Sequence, residues 1–321
     1  MQITEVLGPS QQAGFARADR PIRLEFPSDH GPHPDFQSEW WYYTGNLDSA
    51  DGRHFGYQLT FFRRSLSPSE VPRESRWATR QLAMAHFAVT DVSVGRFTSF
   101  EQFGRPALGL AGFEPERVWL GSWQASGLNP IRLQASQDQI ALDLTLSDER
   151  PPVLQGEQGF SRKGTAEGQA SYYVSRTRLK TRGLVNGVAV AGWSWMDHEW
   201  TSNALSRNES GWDWFGLQLA DGSEVMYFQL RDRQGQVTYQ DGTRVQSDGR
   251  WTRLEDARLE VLERGKVYPR RWRLTARGVP PLELEPYLED QEMKLSVRYW
   301  EGAVRIVGGG SGYAELTGYQ P

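Results

Sequence analysis

Apolar residues in this chain recur at a spacing of two far more often than at helical spacing. In the stretch His54–Phe62, Phe55, Tyr57, Leu59 and Phe61 fall on one face, the alternation of a strand with one buried side. The pattern returns at Gln81–Val89, where Leu82, Met84, His86 and Ala88 share a face, and at Ile140–Leu146, where Ile140, Leu142, Leu144 and Leu146 do. A further strand is expected through Tyr172–Lys180, and a strong one from Glu39. Asp51-Gly52 is a hairpin turn between the strands at Glu39 and His54, and Asn186-Gly187, Asp221-Gly222, Gln234-Gly235 and Arg264-Gly265 punctuate later apolar runs. Residues 1–28 read as a polar arm ending in an edge strand, with Ile22, Leu24 and Phe26 alternating with Arg23 and Glu25. Helical periodicity is weak; in the best segment, 67–80, Pro68 and Pro72 allow at most a turn or two. The expectation is an all-β protein of antiparallel hairpins.

An internal repeat divides the chain. SEWWYYTGNL at 38–47 matches SGWDWFGLQL at 210–219, aligning Ser38 with Ser210, Trp40 with Trp212, Tyr42 with Trp214, Tyr43 with Phe215 and Leu47 with Leu219, and an Asp-Gly turn follows both. This reads as a duplicated β domain, with a first domain at 29–185 and a second at 186–321. Each half needs its sheet edges closed or covered, so a barrel or sandwich of about eight to ten strands is expected, and a barrel of that size has room for a small ligand.

Composition narrows the function. Lys plus Arg number 36 against 40 Asp plus Glu, a net charge of −4 with both signs dispersed and no basic block, so nucleic-acid binding is not expected. Hydrophobic residues are 38%, yet there are 13 Trp, 12 Tyr and 14 Phe, so the apolar mass is aromatic rather than aliphatic. No apolar run approaches the roughly 18 residues of a membrane span, and MQITEVLG lacks a basic stretch leading into an apolar one. With no Cys, disulfides, thiolate metal sites and a Cys nucleophile are excluded. No G-x-S-x-G, phosphate-binding loop, H-E-x-x-H or calcium-loop string occurs.

HPDFQSEWWYYTGNL at 33–47, GWSWMDHEW at 192–200, GWDWFGLQLADG at 211–222 and GYAELTGY at 312–319 together resemble the AttH and CrtC lipocalin-like family, in the same order and over nearly the whole chain from about residue 29. The resemblance implies a pair of lipocalin-like antiparallel β-barrels, usually exported to the periplasm. For the CrtC branch it implies hydration of a carotenoid double bond (carotenoid 1,2-hydratase). The DHEW and SEWWYYTGNL spellings are closer to the AttH branch, whose members commonly accompany ABC-transporter components. A cytoplasmic location is the alternative.

Candidate chemistry centres on GWSWMDHEW. Alternation puts Trp193, Trp195, Asp197 and Glu199 on one face and Met196 and His198 on the other. A carboxylic acid among aromatic rings keeps its proton toward neutrality, as protonating an alkene requires, and His198 could position water or take its proton. Equally, Asp197 could cap a strand end and His198 sit in a satisfied network. Glu39, ahead of Trp40-Trp41, is a second acid candidate or an ion-pair partner of Arg63 or Arg176. Arg176 and Arg178 share a face with Tyr172 and Val174 and could bind an anionic head group or simply face solvent. His86, on an apolar face, is expected inside. His30 and His33 with Asp29 and Asp35 hint at metal, but Gly31, Pro32 and Pro34 give no fixed ligand geometry, so neither metal nor cofactor is expected. Trp40, Trp41, Tyr43, His86, Tyr172, Arg176, Trp195, Glu199, Trp200, Trp212 and Trp214 are the candidate ligand contacts. The first reading is a binding protein for a hydrophobic molecule or lipid, held in a barrel or at the barrel junction. The alternative is a cofactor-free hydratase using Asp197, Glu39 and His198 on an isoprenoid or polyene.

Overall fold

The computed structural model describes residues 13–69, 74–166, 168–206 and 208–319. The first sheet comprises β1 (Ser38–Ser49), β2 (His54–Ser65), β3 (Gln81–Asp91), β4 (Arg96–Gly104), β5 (Ala111–Glu114), β6 (Arg117–Leu120), β7 (Trp123–Ser126), β8 (Ile131–Gln137), β9 (Ile140–Asp148), β10 (Val153–Leu154), β11 (Phe160–Arg162), β12 (Ala170–Val185) and β13 (Val188–Asn203). The second comprises β14 (Glu209–Leu219), β15 (Glu224–Asp232), β16 (Val237–Val245), β17 (Trp251–Arg253), β18 (Arg258–Arg264), β19 (Pro269–Ala276), β20 (Val279–Pro286), β21 (Glu292–Lys294), β22 (Arg298–Ile306) and β23 (Gly310–Leu316). Among the described residues the only helical elements are two three-residue 3-10 turns. The chain is all-β, as its alternation predicts.

The two sheets repeat one topology. The first runs β4-β3-β2-β1-β13-β12-β9-β8-β7-β6-β5, the second β17-β16-β15-β14-β23-β22-β20-β19-β18. In each, four strands meander outward and the last strand returns to pair with the first, β13 with β1 and β23 with β14. Every pairing is antiparallel, so short turns suffice as connections. Each sheet curls on its own core, the first nearly into a closed barrel and the second into a half-barrel: two lipocalin-like units. The hairpin turn Asn186-Gly187, both residues at positive φ, joins β12 to β13 within the first sheet. The division expected at 185/186 therefore falls inside that hairpin, and the chain changes sheets between Asn203 and Glu209.

Large rings fill the interiors. Trp41, Tyr43, Phe55, Tyr57, Phe61 and Phe87 pack in the first, and Phe215, Tyr227, Trp272 and Trp300 in the second. A third cluster lies between the sheets, with Tyr42, Tyr173 and Trp195 from one side and Trp214, Phe228 and Tyr313 from the other. Gly56 permits this approach, since a Cβ there would meet the Ala303 Cβ at 2.7 Å.

Two local expectations change. Residues 22–26 form no strand; the segment pairs with no ladder and enters a turn at Phe26, with Leu24 packed on the Phe160, Tyr172 and Trp200 cluster while Ile22 and Phe26 are exposed. Alternation alone does not supply a ladder partner. The segment 67–80 holds no helix over its described residues, and Pro72 lies outside them.

Candidate functional site: an acid-lined cavity between the sheets

Both faces of the central strands are buried, one in the first barrel and one against the second sheet. On β1 the odd residues Glu39, Trp41 and Tyr43 point into the barrel, and the even residues Trp40 and Tyr42 point at the second sheet. Residues 195, 197 and 199 of β13 share the outward face, and 196 and 198 point inward. The outward faces enclose a cavity lined by Trp40, Tyr42, Thr60, Phe62, Met84, His86, Lys163, Tyr173, Asp197 and Glu199 from the first half, and by Trp212, Trp214, Phe228, Leu230, Val297, Tyr299 and Glu315 from the second, with Ala204 and Leu205 of the connection between them. It offers about 100 Å³ for the centres of water-sized molecules, where one water needs about 10–15 Å³. Aromatic walls with a few converging polar groups are the usual make-up of a small-molecule site.

Asp197 is the best-defined of these polar groups. Its Oδ1 accepts from Ser175 Oγ at 2.6 Å and from Trp195 Nε1 at 2.7 Å, and its Oδ2 accepts from the Tyr173 hydroxyl at 2.7 Å. Trp214 Nε1 donates in turn to that hydroxyl at 3.0 Å. All four donors are neutral. Burial pushes the Asp197 carboxyl up, these hydrogen bonds offset part of the rise, and nearby Glu199 adds to it, leaving it at about 7. Glu315 is likewise pushed up, to about 8, by burial only partly offset by a hydrogen bond from Trp212, with Glu199 and Asp197 adding to the rise. Glu199 differs: Lys163 Nζ lies 2.9 Å from its Oε1, and the same ammonium sits 4.7 and 4.4 Å from the ring centres of Tyr173 and Phe228. Behind the cavity, Tyr42 donates to Glu301 at 2.6 Å, and burial drives the Glu301 carboxyl well above its ordinary range.

The repeat is built into this wall. Tyr42 pairs with Asp197 in the first sheet, and its repeat counterpart Trp214 pairs with Glu315 in the second. Ser175 pairs with Asp197 as Glu301 pairs with Glu315, which makes Tyr173 and Tyr299, each two residues earlier, counterparts as well. Two acids at equivalent positions thus face one cavity from opposite sides.

A second cluster lies across the sheet. Glu39, on β1, accepts from His198 Nε2 at 2.8 Å, His33 Nδ1 at 2.8 Å, the His33 backbone N–H at 2.9 Å and Arg63 Nε at 2.8 Å. Burial pushes the Glu39 carboxyl up, but the hydrogen bonds from His198 and His33 and the Arg63 guanidinium outweigh it and hold Glu39 well below the usual carboxylate range. Burial also lowers His198, whose ring stacks on Trp41 at 4.7 Å, while His33 stacks on Trp200 at 3.7 Å. The ligand-type atoms of His33, Glu39 and His198 lie within 4.8 Å of one another, the one such grouping among the described residues that a metal ion could bridge. Of the loop cluster His30, His33, Asp29 and Asp35, only His33 belongs to this grouping, and Asp29 Oδ1 lies 3.4 Å from its Nε2.

The expected site therefore splits. Asp197, Glu199, His86, Trp40, Trp212 and Trp214 line the cavity, and Trp195 supports it by binding Asp197. Glu39 and His198 do not join Asp197; they form the network on the opposite face, Glu39 ion-paired with Arg63. Trp41 and Tyr43 belong to the barrel interior, and Tyr172 and Trp200 to the cluster that holds Leu24. Arg176 lines a small polar cleft with His30, Trp41 and Tyr43; its guanidinium donates to Asp148, with Nε at 2.7 Å. A β-bulge between Arg176 and Leu179 parts the two arginines, and Arg178 binds Glu224 of the second sheet. Both carry carboxylate partners, so neither offers a free cation for a head group. His86 is buried against the second sheet rather than in the barrel, whose interior takes Ala83, Ala85, Phe87 and Val89 instead. Tyr42, Lys163, Tyr173, Tyr299 and Glu315 were not expected. Tyr42 shares the period-two face of Trp40, and Glu315 lies in GYAELTGY, so both carried a signal.

Two curled antiparallel sheets of like topology meet around an acid-bearing apolar cavity, an all-β architecture of two lipocalin-like units. The chain belongs to the AttH-like family, whose profile matches residues 17–319. It is similar to a crystal structure from Nitrosomonas europaea described as an AttH, at 32% identity over 95% of this chain and 100% of that one, with a TM-score of 0.86. It shares the fold of kievitone hydratase from Nectria haematococca, at 16% identity over 97% of both chains and a TM-score of 0.70. It also shares that of CghA with Sch210972, at 13% identity over 98% and 99% and a TM-score of 0.52. No curated protein matches the sequence significantly.

Proposed function

We propose that the junction cavity binds an apolar, flat small molecule of isoprenoid or polyene type and adds water to, or removes it from, one of its carbon–carbon double bonds, with Asp197 as the acid. The observation that carries this reading is a carboxyl buried in an aromatic wall, hydrogen-bonded by neutral donors only and pushed up to about 7. A pure carrier has no need of a buried acid set near the working pH, where general acids are most effective. In the hydration direction Asp197 gives its proton to one alkene carbon and becomes a carboxylate. The cation left on the adjoining carbon is met by ring faces and by that carboxylate, a water oxygen bonds to it, and the water's second proton departs. The hydratase named among the fold relatives is consistent with such chemistry on this architecture.

The test uses an acyclic terpenoid tertiary alcohol in isotopically labelled water, since reversible dehydration exchanges the hydroxyl oxygen. Wild-type protein should exchange it and Asp197→Asn should lose about 10²–10⁴-fold in rate, while a fluorescent conjugated tetraene fatty acid binds both with similar affinity. Undiminished exchange in Asp197→Asn would remove Asp197 as the acid.

A further inference from the structure

Hydration needs a base as well as an acid, and His198, the base expected from sequence, lies on the wrong face. We propose that Tyr299, His86 and Glu101 form a proton relay that takes the proton from the attacking water and carries it to the edge of the domain junction; this rests on the hydration reading above. The Tyr299 hydroxyl lies 2.7 Å from His86 Nδ1, and His86 Nε2 lies 3.0 Å from Glu101 Oε1. His86 comes from β3, Glu101 from β4 and Tyr299 from β22, so the chain of groups crosses from one half of the molecule to the other. Tyr299 and His86 line the cavity, and the Glu101 side chain is 14% exposed at the far end.

Hydrogen-bond bookkeeping sets the direction of transfer. Ser296 Oγ donates to Glu101 Oε1 at 2.6 Å and the Ser296 backbone N–H donates to Oε2 at 3.3 Å. Burial pushes Glu101 up, yet the hydrogen bonds from His86 and Ser296 outweigh it and hold the carboxyl low, so it is an acceptor at neutral pH. His86 Nε2 must then carry hydrogen, which leaves Nδ1 to accept from the phenol and leaves the phenol's oxygen lone pairs for the cavity. A water bound there passes one proton to the Tyr299 oxygen as Tyr299 passes its own to His86. The imidazolium that forms is stabilised by Glu101 and sheds its proton to solvent, while Asp197 regains one, so the cycle balances. Around this relay stand Glu301, Glu315 and Tyr313, which share the electrostatics of Tyr299, and the Phe62 ring 5.2 Å from that of His86. Comparison with the repeat isolates the feature. Tyr173, the counterpart of Tyr299, donates to the acid of its own half; Tyr299 is turned instead to a histidine of the other half.

Two measurements test it. Ring-nitrogen NMR of the full chain should place one histidine, absent from His86→Gln, in the Nε2–H tautomer near pH 7, with its Nδ1 signal shifted in Tyr299→Phe; an Nδ1–H tautomer would overturn the relay. In the labelled-water exchange, Tyr299→Phe should slow the rate at least about tenfold with tetraene affinity unchanged within about twofold, and Glu101→Gln should move the pH at which the rate falls. A matching loss of affinity in Tyr299→Phe, or an unmoved pH profile in Glu101→Gln, would make these residues structural wall only. Wild-type exchange alongside an equally fast Tyr299→Phe overturns the relay alone; no exchange by the wild type overturns the hydration reading and the relay with it.

Discussion

Glu39 and Asp197 sit on adjacent strands of one sheet, 1% and 4% exposed, and both lose the water that favours a charged carboxylate. They end in opposite states. Glu39 faces the barrel interior, where the Arg63 guanidinium, two imidazoles and a backbone N–H turn toward it, and it stays ionised. Asp197 faces the second sheet, where its donors are a serine, a tyrosine and a tryptophan, and its carboxyl rises to about 7. Equal burial does not decide a carboxylate's charge; the hydrogen bonds and charges that meet it do. The ionised one is suited to holding structure, the poised one to moving a proton.

Breaking the comparison at Glu39 should have the largest effect on stability. Glu39→Ala leaves Arg63 buried without its partner and should cost about 3–5 kcal/mol in denaturant unfolding near pH 7. The sign with pH follows from a folded-state value held below the unfolded one. Glu39 stabilises above the unfolded value of about 4.3, and that contribution disappears as pH falls through the folded value, so the penalty of Glu39→Ala should shrink only in acid.

Asp197 should behave in the reverse sense. Its folded-state value lies above the unfolded one of about 3.9, so holding it protonated costs stability progressively as pH rises from about 4 to 7, by an amount on the order of 4 kcal/mol at the upper end. Asp197→Asn removes that cost and keeps an acceptor for Ser175 and Trp195, so it should gain stability over wild type as pH rises through this window and show no gain near pH 4. A variant equally altered at both pH values would break the contrast with Glu39.

The smallest effect sharpens the role of neutral donors. Ser175→Ala removes one hydrogen bond that favours the Asp197 carboxylate and should move its titration midpoint upward by about one unit or less, read by carbon NMR of aspartate-labelled protein. A downward move would show that Ser175 does not favour the charged form.

The strands were legible in the chain because period-two alternation is local, and the repeat at Trp40 and Trp212 pointed to duplication, which the matching strand orders bear out. The choice of face was not. When one side of a strand packs in a barrel and the other against a second sheet, both read as apolar, which is why His86 was expected inside and why Trp41 and Tyr43 were grouped with Trp40. Asp197 was legible as an acid among aromatics, since its neighbours in sequence are Trp195 and Trp200. The rest of its surroundings was not: Tyr173, which donates to it, comes from the paired strand β12, Lys163, the partner of Glu199, lies beyond β11, and the cavity residues Tyr299 and Glu315 arrive from more than 100 residues away. His198 was drawn to Asp197 by adjacency in sequence, and strand geometry sends the two side chains to opposite faces.

The acid role proposed for Asp197 requires its carboxyl to stand at the edge of protonation inside the junction cavity. Carbon NMR of aspartate-labelled protein, titrated from acid to alkaline pH and assigned by the signal missing in Asp197→Asn, measures this directly. The structure predicts a midpoint at about 7; a midpoint at or below about 4, the value of an ordinary aspartate, would contradict it.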